Sequence, residues 1–161
     1  MPGPGMELIG DEEKREILEV LESGYLFRYG SQDNPDFKAK VYQLEQLVAK
    51  IIEVPYAVAV NSGTSALLVA LSGLGVGPGD EVIVPGYTFI ASFSSVIYAR
   101  AIPILAEVDR SLNLDPEDVV NKITPRTKAI LAVHMLGNPA RMDELKTIAD
   151  EHDLLLIEDC A

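Results

Sequence analysis

The sequence predicts an α/β fold, a mainly parallel sheet flanked by helices, and three observations carry that prediction. Short apolar runs rich in Val, Ile and Leu recur from Ala57 onward. Segments of helical character separate them in regular alternation. The runs are continuously apolar along their length, so both sheet faces are covered, as in parallel strands between helix layers.

The elements follow in order. Asp11 can cap a helix in which Ile17, Leu18, Val20 and Leu21 share a face, and Gly24 is placed to end it. A loop covers residues 25–35. Phe37, Val41, Leu44, Val48 and Ile51 recur at three- and four-residue spacing, predicting a second amphipathic helix that Pro55 stops. Strands are predicted at 57–60, 81–84, 102–105, 129–134 and 154–157. Between them helices are predicted at 64–72, 88–100, 116–123 and 142–152, with Asp115 and Pro116 suited to a cap and a first helical position. Two regions result: a helical segment with its loop over residues 1–54, and a sheet-bearing domain over residues 55–161.

Composition removes several function classes. With 48% hydrophobic residues over 161 positions, the chain can bury a sizeable core. Its formal charge of -12 repels a phosphate backbone and an anionic membrane, so neither nucleic acid nor a membrane is an expected partner. No apolar stretch approaches the roughly 20 residues of a membrane helix. Residues 1–5 lack the basic and apolar regions of a signal peptide, and a cytoplasmic location is the expectation. The single cysteine, Cys160, allows no internal disulfide, and two histidines with no paired spacing give no expected metal site.

Chemistry concentrates at predicted strand ends, where ligands of open α/β sheets sit. Ser62-Gly63-Thr64-Ser65 lies between a strand and a helix, so free amides and a positive helix terminus face one point. That is either an anion site or an ordinary capped helix start. Gly73 to Asp80 resembles a dinucleotide fingerprint but precedes a strand, and reads as a helix exit and turn. Tyr87 and Phe89 follow the next strand, where a ring can stack on a planar cofactor; core packing is the competing reading. Asp159 ends an apolar strand and is either solvated at the sheet edge or functional. Cys160 is expected to be buried and inert, since nothing orients it with His134.

Taken together, residues 56–67, 77–85, Thr88-Phe89 and Ile157-Glu158-Asp159-Cys160-Ala161 resemble the DegT/DnrJ/EryC1/StrS aminotransferases, and the likeness runs from about Glu7 to Ala161. These are pyridoxal-phosphate (PLP) enzymes of fold type I. The resemblance makes residues 55–161 part of the PLP-binding large domain. It implies that Gly63, Thr64 and Ser65 hold the cofactor phosphate, Phe89 stacks on the pyridine ring and Asp159 pairs with the pyridine nitrogen. It implies a reaction in which glutamate or glutamine donates an amino group to a keto-sugar, commonly nucleotide-linked, for amino-sugar, polysaccharide or antibiotic-sugar biosynthesis. A homodimer is implied as well. Arg28, in a loop that the family carries near the substrate entrance, is a candidate ligand for a carboxylate or phosphate, against the reading of an ordinary surface arginine.

The family's Schiff-base lysine falls downstream of the Asp159 motif and is absent from residues 1–161. The chain is therefore expected to be the N-terminal part of a longer enzyme and inactive alone. Two alternatives remain at this stage: a noncatalytic regulatory or sensing homologue on the same fold, and a PLP-dependent sugar dehydratase.

Overall fold

A computed structural model describes residues 4–31 and 33–161. Residues 1–3, part of the stretch read for a leader, and Gln32 in the first loop lie outside the described residues. The chain divides into two compact units, one ending at Ala59 and the other running from Val60 to Ala161.

In the first unit, a 3-10 turn at Pro4–Leu8 precedes α1 (Asp11–Ser23) and α2 (Lys40–Ile52). Gly10, not Asp11, caps α1, and its amide donates to Glu13 Oε2 at 2.7 Å. Gly24 ends that helix at φ 70°, a left-handed conformation that glycine adopts without a Cβ penalty. α2 begins three residues later than the periodicity of Phe37 suggests. Turns use up the intervening chain: the Phe37 amide donates to the Asn34 carbonyl, and the Phe37 ring meets Tyr25 edge-on at 6.3 Å. The helix ends at Glu53 in a left-handed conformation, before Pro55 is reached. Lys40 bridges Glu16 and Glu19 at 2.5 and 2.6 Å, joining the two helices.

Residues 57–60 form no strand among the described residues, although their apolar pattern predicts one. At Ala59, side chains satisfy the backbone in place of a strand ladder. Its amide donates to Glu45 Oε1 at 2.8 Å, and its carbonyl accepts from Arg28 Nη1 at 2.8 Å.

The second unit holds α3 (Gly63–Gly73), β1 (Glu81–Pro85), α4 (Ile90–Tyr98), β2 (Ile102–Ala106), α5 (Pro116–Lys122), β3 (Thr127–Val133), α6 (Met142–Glu151) and β4 (Leu155–Asp159). All four strands are parallel, in the order β2-β1-β3-β4. The predicted parallel, helix-flanked sheet is therefore observed. Period-two alternation sends Val82, Val84, Leu131, Val133 and Ile157 to one face, against Leu67 and Leu71 of α3 and Val96 of α4. Ile83, Ile130 and Ala132 face the opposite way, onto Val119 of α5 and Leu145 and Ile148 of α6. The glycine-rich stretch after α3 is a turn, with Gly75 and Gly79 at φ 75° and 92° and the Gly77 amide bound to Asp80.

This topology positions the site. From β1 the chain crosses by α4 to β2 on one face, whereas from β3 it crosses by α6 to β4 on the other. The direction of winding thus reverses between β1 and β3. A crevice opens beyond the carboxyl ends of the strands at such a reversal.

Candidate cofactor site

At that crevice lies a cavity of about 300 Å³ lined by Gly63, Thr64, Leu67, Phe89, Ala91, Val133, Met135, Asp159 and Ala161. Four of the five cofactor residues named from sequence, Gly63, Thr64, Phe89 and Asp159, meet in this one wall. The fifth, Ser65, is not among the lining residues.

Sequence dictates each placement. Ser62 is in extended conformation and its hydroxyl accepts the Ser65 amide at 3.1 Å, starting α3. The Ser65 hydroxyl in turn donates to Asn61 Oδ1 at 2.7 Å. The Gly63 and Thr64 amides bond to nothing among the described residues, so two donors at the positive end of the helix remain for an anion. The ring of Phe89 is 74% exposed. Phe89 thus lies outside the two buried core clusters of this chain. Residue 89 is the N-cap of α4, and with Ala91 it lines the cavity.

Asp159 reaches the cavity by register. Val133 pairs with Asp159, and Ile157, two residues earlier, faces the α3–α4 layer, so Asp159 emerges on that side. Glu158 points to the other. Asp159 Oδ2 accepts from the Ser92 hydroxyl at 3.1 Å and Oδ1 from the Ala161 amide at 3.2 Å. Ser92, whose hydroxyl is 2.9 Å from that of Thr88, lies outside the sequence motifs, which include Thr88 only as the neighbour of Phe89. The i, i+4 spacing of Thr88 and Ser92 at a helix start was the available signal. Met135 is a further wall residue that the sequence does not announce. Buried Asn113 holds it, with Oδ1 accepting the Met135 amide at 2.9 Å and Nδ2 donating to the Asn138 carbonyl at 3.0 Å.

Cys160 is exposed, contrary to expectation, because it lies one residue beyond the end of β4 and escapes the sheet. Partial desolvation, then the charges of Glu158 and Asp159, push its thiol pKa up, which disfavours a reactive thiolate. His134, Glu158 and Cys160 bring potential ligand atoms within 4.8 Å of one another. The hydrogen bonds oppose metal binding. His134 Nδ1 accepts the Ala140 amide at 3.1 Å, so the neutral ring carries its proton on Nε2, the atom 3.1 Å from Glu158.

In the first unit, Arg28 lines a cavity of about 220 Å³ with Tyr25, Phe27, Phe37, Lys38 and Lys40. Its guanidinium pairs with Glu45 and the Ala59 carbonyl and lies 5.6 Å from the Tyr29 ring centroid. Two of its five N–H donors are engaged by protein in this way.

An anion-ready helix terminus, an aromatic ring and a strand-end carboxylate around one crevice place the chain in a class: this is part of the large domain of the PLP-dependent transferases of fold type I. More narrowly, the chain belongs to the DegT/DnrJ/EryC1/StrS aminotransferase family, whose sequence profile matches residues 7–161. That family is PLP-dependent. The chain is 41% identical to the spore coat polysaccharide biosynthesis protein SpsC of Bacillus subtilis (strain 168), over 97% of this chain and 38% of that protein. It is 48% identical to the GDP-perosamine synthase of Caulobacter vibrioides, over 92% of this chain and 38% of the relative. The solved aminotransferase from Psychrobacter cryohalolentis superposes with a TM-score of 0.88 at 38% identity, covering 100% of this chain and 38% of that one. The chain thus spans well under half the length of the relatives it matches.

Proposed function

We propose that the full-length protein is a sugar aminotransferase that moves an amino group from glutamate or glutamine to a keto-sugar, and that the crevice described above is its PLP site. One observation carries the reading: the cavity that gathers Gly63 and Thr64, Phe89 and Asp159 into a single wall. The donor set fits the cofactor. Free amides and the helix dipole suit a phosphate, an exposed ring suits a planar heterocycle, and a carboxylate suits a cationic ring nitrogen.

PLP, when bound, supplies an electron sink for the carbon that loses its proton. The protein's part is binding and orientation. Gly63 and Thr64 donate their amides to the phosphate, and Ser65 keeps the helix start in shape through Ser62 and Asn61. Phe89 covers one ring face and excludes water from it. Asp159 holds a proton on the ring nitrogen, which maintains the sink.

The similarity to a GDP-perosamine synthase favours a nucleotide-linked sugar in polysaccharide biosynthesis. Arg28 is the candidate contact for an acidic group of such a substrate. A homodimer, a downstream Schiff-base lysine and a cytoplasmic location complete the proposal; among the described residues no helix is long and apolar enough to cross a membrane. The test is absorbance of the full-length protein reconstituted with PLP and then given glutamate or glutamine. Conversion to the pyridoxamine form, reversed by a keto-sugar, is expected. No spectral change with either donor refutes the reading.

A further inference from the structure

Asp159 is backed by a directed pair of hydroxyls. Ser92 Oγ donates to Asp159 Oδ2 at 3.1 Å and lies 2.9 Å from Thr88 Oγ1. A hydroxyl carries one proton. With the proton of Ser92 given to Asp159, Thr88 is the donor in the second bond, and the hydrogen bonds run from Thr88 through Ser92 to the carboxylate. Bonds aligned in this way polarise one another.

Ser92, the inner hydroxyl, is held on several sides and kept dry, while Thr88 is half-buried. Ser92 is 1% exposed, its amide donates to the Phe89 carbonyl at 3.1 Å, and its own carbonyl accepts from the Ser95 hydroxyl at 3.1 Å. On the other side, the Ala161 amide donates to Asp159 Oδ1 at 3.2 Å. Each carboxylate oxygen therefore has one lone pair engaged by protein and one left for a ligand. Neither Ser92 nor Thr88 lines the cavity. They act only through Asp159.

Resting on the aminotransferase reading, we infer that Ser92 and Thr88 are positioning residues that aim the Asp159 carboxylate at the cofactor's ring nitrogen. Without the Ser92 hydroxyl the carboxylate keeps only the Ala161 amide on Oδ1, and the ring nitrogen has a less firmly fixed partner. Ser92→Ala removes the inner donor with little change of volume. Thr88→Val removes the outer donor at nearly constant shape, and Thr88→Ser keeps it.

The experiment uses the full-length enzyme loaded with PLP carrying ¹⁵N in the pyridine ring, with solid-state NMR across pH and a PLP dissociation constant for each variant. Ser92→Ala is expected to shift the ring ¹⁵N resonance toward its unprotonated position at neutral pH and to weaken PLP binding about tenfold, the scale of one hydrogen bond to a charged group. Thr88→Val is expected to move both readouts in the same direction by less, and Thr88→Ser to restore them. Should Ser92→Ala fail to fold, the Thr88→Val and Thr88→Ser pair decides on its own. If Asp159→Asn alters the ring signal while Ser92→Ala and Thr88→Val leave it and the affinity unchanged, the inference is overturned and the cofactor site stands. If the unsubstituted enzyme binds no PLP, or Asp159→Asn changes nothing, the aminotransferase reading itself fails.

Discussion

Removing the Asn113 side chain should loosen the cavity wall without touching the cavity. Asn113 is 1% exposed, and its amide group holds the Met135 amide at 2.9 Å and the Asn138 carbonyl at 3.0 Å. In Asn113→Ala both backbone groups lose their partner, but unequally. Asn138 is exposed, so water replaces the lost bond at small cost. The half-buried Met135 amide is left without an acceptor, a penalty of about 1–3 kcal/mol for such a group. Taking about 2 kcal/mol from that range, the local opening equilibrium rises roughly thirtyfold. Hydrogen–deuterium exchange of peptides covering residues 134–139 in the full-length protein reads this directly. Faster exchange confined to that turn, with weaker PLP binding through displaced Met135, is expected. Exchange within a factor of about two of the unsubstituted protein would show that Asn113 does not hold the wall, and would refute the reasoning.

Other perturbations follow from the same contacts. Leu131→Ala, at a fully buried position on the α3–α4 face of the sheet, should destabilise by about 2–5 kcal/mol in chemical denaturation, whereas a cost below about 1 kcal/mol would contradict the close packing described. Arg28→Ala and Glu45→Ala each remove one side of the clamp on Ala59, and a double-mutant cycle on thermal stability should show coupling of about 1–2 kcal/mol; additive effects would argue that the pair does not act as a unit. The Thr124 hydroxyl first, then the Arg126 guanidinium, hold the pKa of the buried Glu81 carboxylate below its ordinary value. A depressed folded pKa contributes stability present above the unfolded value and lost as pH falls through the folded one. Glu81→Gln should therefore flatten the fall in stability below about pH 4.3, the ordinary glutamate value, and an unaltered acid limb would contradict that role.

Much of this arrangement could be read from local pattern, and the exceptions have physical causes. Apolar runs at 81–84, 102–105 and 129–134 predict strands covered on both faces; the sheet is parallel and β1 and most of β3 are buried, whereas Ile102 and Leu105 of the edge strand β2 are exposed. Residues 57–60 carry the same pattern but not the same structure. An apolar run says nothing about whether a neighbouring strand exists, and side chains of Arg28 and Glu45, 31 and 14 residues away from Ala59, take the backbone groups instead. Phe89 and Cys160 show the limit of residue-type averages: both types are commonly buried, yet each lies just outside a regular element and is exposed. Asp159 was visible as a carboxylate ending an apolar strand, and the register of β4 puts it on the face of Ile157. Asn113, Met135 and the Ser92–Asp159 bond are contacts between distant segments, the last spanning 67 positions, and only the folded sheet brings them together.

The central claim is that one crevice beyond β1, β3 and β4 holds PLP between a helix terminus and a strand-end carboxylate. A crystal structure of the full-length protein with PLP tests it most directly. The account predicts phosphate oxygens within hydrogen-bonding distance of the Gly63 and Thr64 amides, Phe89 against the ring and Asp159 at the ring nitrogen. Cofactor bound elsewhere, or bound here with its ring nitrogen turned away from Asp159, would contradict it.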